Sequence, residues 1–281
     1  MISSQNRPIY SRQFLQEYLK HLLIRTPLER PTQKINELFK YPLRQRWIHP
    51  ELKEIYLESE RTEQIMQGVL GESSNCIDIG CHLGSVLSTI VKLAPQGHHI
   101  AFEALPYKAH WLKRKFPEVD VREIALGDTP GEVTFYHNTN HSGFSGLHRH
   151  ITGDKTVNNT VVELTVKCER LDNVLPPDQR IDFIKVDVEG GELAVLRGAV
   201  DTLRRYRPTL LFECTSSGLS SFGFTSAQVF EFLSKEVSYS VFLLKDFLDD
   251  GAPLNFEQFH DTLQYPFKAF NFIAVAKPSA I

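Results

Sequence analysis

The chain has 281 residues, 42% of them hydrophobic and 23% charged, with a formal net charge of −3. That length exceeds one ordinary domain and falls short of two full ones, and the composition is globular rather than disordered or fibrous. No apolar run approaches the roughly 18 residues of a membrane-spanning helix, and Met1 to Arg7 lack the apolar core of a secretory signal.

Residues 1–70 read as a helical extension broken by Pro8, Pro27, Pro31, Pro42 and Pro50. Phe14, Leu15, Tyr18, Leu19, Leu22 and Leu23 recur at helical spacing and make one apolar face. A second helix is expected over 51–69, with Leu52, Ile55, Tyr56, Ile65, Met66 and Val69 inward. Residues 1–46 carry nine Lys/Arg against three Glu, whereas the rest of the chain is acidic. Such charge is usually a solvated helix face; otherwise it suits an anionic membrane surface or an acidic partner. The segment has no catalytic signature and reads as a lid or a homodimerisation element beside a domain spanning 71–281. No motif supports nucleic-acid binding.

From Asn75 onward strands and helices alternate. Asn75 to Ile79 is a short buried strand, followed by a tight turn and a helix over about 84–94. The turn is Asp78-Ile79-Gly80-Cys81-His82-Leu83-Gly84, spaced Asp-x-Gly-x-x-x-Gly rather than as the G-x-G-x-x-G of dinucleotide enzymes. Helix-start N–H groups and glycine backbone can approach a ligand there, and this shorter spacing marks S-adenosylmethionine (SAM) sites. His99 to Glu103 is the second strand, Tyr107 to Phe116 a helix, and Val119 to Leu126 a third strand ending at Gly127-Asp128. Gly131 to Tyr136 and Val161 to Cys168 alternate as an antiparallel addition, separated by a polar loop over 137–160. Ile181 to Asp187 and Thr209 to Glu213 are core strands, Thr225-Ser226 opens a helix, and Tyr239 to Leu244 and Phe270 to Val275 close the pattern. Repeated βα units with a terminal strand pair indicate an α/β, doubly wound sheet. Cys76, Cys81, Cys168 and Cys214 have no metal-type spacing, so the expected setting is reduced and cytoplasmic.

Several residues invite chemical roles. Glu103 ends its strand 19 residues beyond Gly84, where an acid can accept from both ribose hydroxyls of a nucleoside. Asp128 is placed for an adenine amino group, although Gly-Asp-Thr-Pro-Gly is also good turn chemistry. Asp187-Val188-Glu189-Gly190-Gly191-Glu192 sets three acids at the carboxyl end of a buried strand, costly unless a ligand, a cation or Lys185 offsets them. Glu192 also reads as a favourable acid at a helix start. Asp187 is the candidate catalytic acid, with Glu189 and Glu213 as acceptor-binding acids in the same crevice. The polar loop offers His137, His141, His148 and His150 with Ser142 and Ser145; His148 is the candidate proton acceptor, against the alternative of merely solvated histidines. His82 reads as a cofactor-side residue. No histidine spacing matches a zinc site.

These residues resemble the FkbM-type SAM-dependent methyltransferases. The likeness rests on Ile77-Asp78-Ile79-Gly80 with Gly84, Phe102-Glu103-Ala104-Leu105-Pro106, Ala125-Leu126-Gly127-Asp128 and Leu171-Asp172. It continues through Ile181 to Glu192, Leu196-Arg197-Gly198-Ala199, Pro208 to Glu213 and Asn271 to Val275. The resemblance implies a class I methyltransferase, Rossmann-like fold: a mostly parallel seven-stranded sheet with an antiparallel last strand. It implies methyl transfer from SAM, usually to a hydroxyl of a sugar, glycolipid, polyketide or similar acceptor. By position it sets Asp78 and Gly80 at the methionine end, Glu103 at the ribose, Asp128 at the adenine and Asp187 near the sulfonium. Cys81 and His82 depart from the family's commoner Gly-Ala-Asn turn. A divalent cation held by Asp187 and Glu213 is the minority alternative, not favoured because a third ligand is not evident. The competing readings are an NAD-dependent oxidoreductase, which the missing G-x-G-x-x-G and Tyr-x-x-x-Lys oppose, and a non-catalytic module that binds a partner.

Overall fold

The structure, a computed structural model, describes residues 12–29, 31, 43–139, 145–148 and 161–278. Ten strands are described: β1 (Cys76–Ile79), β2 (Ile100–Phe102), β3 (Asp120–Arg122), β4 (Ala125–Leu126), β5 (Gly131–Asn138), β6 (Val161–Glu169), β7 (Phe183–Val186), β8 (Thr209–Glu213), β9 (Tyr239–Leu243) and β10 (Asn271–Ala276). Seven of them form one sheet in the order β3-β2-β1-β7-β8-β10-β9. β1, β2, β3, β7 and β8 pair in parallel, and β10 runs antiparallel to both β8 and β9. This is the expected α/β architecture, a mostly parallel seven-stranded sheet with a reversed final strand.

β1, β2 and β7 are buried at every position, which is why they are mostly apolar without alternation, Asp78 in β1 and Lys185 in β7 being the buried exceptions. Successive residues serve opposite layers. Leu210 and Phe212 join Ile77, Ile79, Ile184, Leu193, Leu203 and Phe232 on one face. Leu211 joins Cys76, Ile65, Met66, Ile90, Phe183 and Ile273 on the other. The helix Glu58–Val69, which the sequence assigns to the N-terminal segment, thus packs directly on the sheet. Its Glu58 accepts from Phe270 N (2.7 Å), Asn271 N (3.0 Å) and the Asn271 amide (3.0 Å), fixing that helix to β10.

Three local expectations change. The run 119–126 is not one strand: β3 pairs with β2, and after Glu123-Ile124 the chain leaves the sheet and β4 pairs in parallel with β6. β5 and β6 are antiparallel to each other, as expected, but with β4 they form a separate three-stranded sheet. The third change concerns the helix Arg12–Leu23, whose apolar stripe faces outward: Leu15, Leu19 and Leu22 are exposed, whereas Glu17, His21 and, just beyond, Ile24 are buried. Its partner is the cause. Glu17 accepts from the Tyr107 hydroxyl (3.1 Å), His21 Nδ1 meets Leu83 O (3.3 Å) and Lys115 Nζ donates to Leu22 O (2.9 Å). Polar groups meet Glu17 and His21, while the Trp111 ring stacks on His21 and Ile24 packs with Leu83, Leu87 and Phe116.

Candidate active site

The sheet's switch point lies where β1 has β2 on one side and β7 on the other, and crevices at such points take ligands at the strands' carboxyl ends. Gly80 leaves β1 at φ +77°, and a Cβ there would stand 1.8 Å from Asp187 O, so no larger residue fits between the ends of β1 and β7. Gly84 has φ +90°, with Phe116 2.7 Å from where its Cβ would be. The sequence assigned both glycines to ligand approach. The structure shows them serving contacts within the chain, and of the two Gly80 also lines the cavity.

Glu103 closes the turn from the end of β2. Its Oε2 accepts from His82 N and its Oε1 from Leu105 N, both at 2.9 Å. Two N–H donors use about half of a carboxylate's acceptor sites, leaving capacity for ligand hydroxyls. Burial pushes its carboxyl up, opposed by the Lys108 ammonium. Burial also holds His82 well below the usual imidazole range. His82 and Glu189 both have left-handed backbone, at φ +50° and +60°, the kind of strain that persists where surrounding structure fixes it.

A cavity of about 300 Å³ opens here, with Gly80, His82, Glu103, Lys108, Asp187 and Glu189 among its walls. Ile124, Ala125 and Leu126 complete an apolar side, which the departure of the chain from the main sheet puts in place. Lys108 is 1% exposed and was missed from sequence: one lysine early in a helix looks like a solvated charge until its surroundings are known.

Lys185 organises the acids. Its Nζ lies 3.1 Å from Asp187 Oδ2 and 3.7 Å from Asp78 Oδ1, and it donates to Gly80 O at 3.1 Å. Burial works against this ammonium, but Asp187 and Asp78 outweigh it and its pKa rises. Asp78 is fully buried, neither oxygen has a partner at hydrogen-bond distance, and desolvation raises its pKa despite Lys185. Glu192 folds over the loop, accepting from Val188 N and Gly190 N at 3.0 Å each, and burial pushes its carboxyl up to about 7. It is a strut for the loop.

Asp187, Glu189 and Glu213 each place an oxygen within 4.8 Å of the others. Glu189, expected from sequence as an acceptor-binding acid, also stands where a third cation ligand beside Asp187 and Glu213 would be. Burial, then repulsion from Asp187, Glu189 and Glu192, raises Glu213 well above the carboxylate range. The cluster can bind a cation or a polyhydroxylated group, and the affinity of Glu213 for a proton is raised.

Two predicted residues lie apart. Asp128 is outside the cavity wall and accepts from Thr129 Oγ1 at 3.1 Å. His148 is exposed, its ring centroid 4.2 Å from that of Phe222, a cavity residue. Burial pushes His137 down to about 4, with Ser145 Oγ 3.2 Å from its Nδ1. His141, Ser142 and His150 lie outside the described residues.

Residues 78–241 match the Methyltransferase FkbM domain. The chain belongs to the FkbM methyltransferase family. A 168-residue stretch is 27% identical to the AMB antimetabolite synthetase AmbE of Pseudomonas aeruginosa, covering 47% of this chain and 8% of that protein. Similar structures include the methyltransferase FkbM from Methylobacillus flagellatus KT, with 14% identity and TM-score 0.48 over 94% of this chain and 59% of that one. Another is the plantazolicin methyltransferase BpumL in complex with SAH, with 10% identity and TM-score 0.41 over 94% and 96% of the two chains. The chain thus spans a small part of AmbE and about three fifths of the Methylobacillus protein. As an FkbM methyltransferase it uses SAM. Its cavity fits that cofactor: an apolar wall beside Leu126, spare acceptor capacity on buried Glu103, and carboxylates that suit a sulfonium.

Proposed function

We propose that this FkbM methyltransferase transfers the SAM methyl group to a hydroxyl oxygen of a sugar, glycolipid, polyketide or similar natural product. The observation that supports it is the convergence of Asp187, Glu189 and Glu213 beside the cofactor cavity. In this reading Asp78, Gly80 and the turn through Gly84 hold the methionine end, with His82 beside it. Glu103 accepts from the ribose, and Asp128 meets the adenine end. Glu189 and Glu213 accept hydrogen bonds from the acceptor's hydroxyls, and Asp187 stands beside the reacting oxygen.

SAM supplies an already activated methyl group, so the protein must align oxygen, carbon and sulfur and accept a proton. Bound there, SAM would supply the methyl carbon for the new C–O bond, with the electron pair of the broken C–S bond staying on sulfur. The hydroxyl proton passes to Glu213, whose raised affinity suits that task; His148, at the cavity edge, is the second candidate. A divalent cation among the same three carboxylates is the alternative reading, favoured by their spacing within 4.8 Å. We place the enzyme in a reduced, cytoplasmic setting on its four buried, free cysteines.

Calorimetric titration with S-adenosylhomocysteine, with and without chelator, tests the cofactor site. Labelled SAM with a panel of sugars and hydroxylated natural products, using wild type and Asp187→Asn, then tests the transfer. Methylation confined to nitrogen acceptors, or full turnover by Asp187→Asn, would sink the proposal.

A further inference from the structure

We propose that the outward face of the N-terminal helix docks on an anionic lipid surface. The inference is independent of the acceptor's identity. The helix Arg12–Leu23 is amphipathic, yet its orientation is inverted relative to a core helix. Leu15, Leu19 and Leu22 repeat at i, i+4 and i+7 and are 57%, 51% and 44% exposed, with Tyr18 at the edge of the same face. The inner face is occupied: Glu17 meets Tyr107, His21 meets Leu83 O and stacks on Trp111 at 5.5 Å, and at the boundary Tyr18 lies tilted against Trp111 at 5.2 Å. Beyond the helix, Arg25 pairs with Glu118 at 2.6 Å and the Ser88 hydroxyl donates to Glu29 at 2.9 Å. These contacts tether the segment by polar groups and leave its leucines facing water. The same segment exposes Leu28, Trp47 (83%) and Ile48.

Charge selects among the surfaces that would cover such a face. Residues 1–46 carry nine Lys/Arg and three Glu, while the whole chain is net −3, so the segment is strongly positive and the remainder strongly negative. Two copies meeting through this segment would bring a net-positive stretch of sequence against another. Exposed leucine and tryptophan among Lys and Arg is instead the composition of helices that lie in the headgroup layer of anionic membranes. The negative surface potential attracts the basic residues, and the leucines then enter the boundary region.

The test is sedimentation of the full chain with vesicles of phosphatidylcholine alone and of phosphatidylcholine mixed with phosphatidylglycerol. We expect binding to the mixed vesicles only, weakened by high salt. A Leu15→Ser/Leu19→Ser/Leu22→Ser variant should lose binding by about tenfold or more. It should retain far-UV circular dichroism and S-adenosylhomocysteine affinity, since among the described residues those side chains belong to neither a core cluster nor the cavity wall. Absence of binding to the mixed vesicles overturns the proposal, as does a triple variant that binds like wild type. A dimer by light scattering that the triple variant abolishes, without vesicle binding, would assign the face to a second copy.

Discussion

Lys185→Met is the most informative single change in this enzyme. The methionine side chain occupies similar space but removes the ammonium that stands 3.1 Å from Asp187, 3.7 Å from Asp78 and 3.1 Å from Gly80 O. Asp78 has no other partner at hydrogen-bond distance and is fully buried, so the variant strands a carboxylate in the core. Breaking a buried pair by removing one member costs about 3–5 kcal/mol. For a domain of this size each kcal/mol lowers Tm by about 2–4 °C, so thermal denaturation at pH 7.5 should show a drop of roughly 6–20 °C. The loss must also depend on pH. The folded-state pKa of Asp78 is already raised above its unfolded value, so its charged form opposes folding and its protonated form does not. Without Lys185 that gap widens. The difference between variant and wild type should therefore shrink as pH falls and grow as it rises. Asp78→Asn should rescue part of the loss in the double variant, a coupling that a thermodynamic cycle reads directly. A destabilisation below about 1 kcal/mol, or one that is the same at pH 5 and pH 8 and unaffected by Asp78→Asn, would refute the role given to Lys185.

Glu103→Ala should weaken S-adenosylhomocysteine by about 1–3 kcal/mol, the scale of unpaired buried polar groups, and unchanged calorimetric affinity would reject its ribose role. Glu192, with its folded pKa at about 7 against an unfolded value near 4.5, contributes stability that is full below the unfolded value and lost as pH rises through 7. Glu192→Gln keeps an oxygen for Val188 N and Gly190 N while removing that charge. It should raise stability by up to about 3 kcal/mol at pH 8 and by little at pH 4.5, readable as a Tm–pH profile that is flatter than wild type. Gly80→Ala should fail to give a soluble, cooperatively folding protein, because its Cβ would overlap Asp187 O at the joint of β1 and β7; normal expression and wild-type Tm would contradict the close approach.

Much of the fold is carried by local pattern. β1, β7 and β8 are short, largely apolar runs flanked by turn signals, and they emerge where the pattern puts them because parallel strands are covered on both faces. The capping box at Thr225 with Gln228 forms as its residue types require. The glycine turn, Glu103 and the Asp187–Glu192 string are legible for the same reason: their positions at strand ends follow from chain order alone. Tertiary structure decided what such patterns leave open. The helix Arg12–Leu23 turns Leu15, Leu19 and Leu22 outward because its inner side is taken by the Glu17–Tyr107 and His21–Leu83 contacts and by the Trp111 ring, which its own periodicity does not reveal. Whether 119–126 is one strand or two depended on a second sheet more than thirty residues away in sequence. Lys108, and Glu189 as the companion of Asp187 and Glu213, gained meaning only once distant segments met, because the pKa and ligand affinity of a charge are set by neighbours in space. Chain order set the βα succession and the acids at strand ends; which charges face one another followed from packing, since local propensity acts over a few residues and electrostatics over a few ångströms.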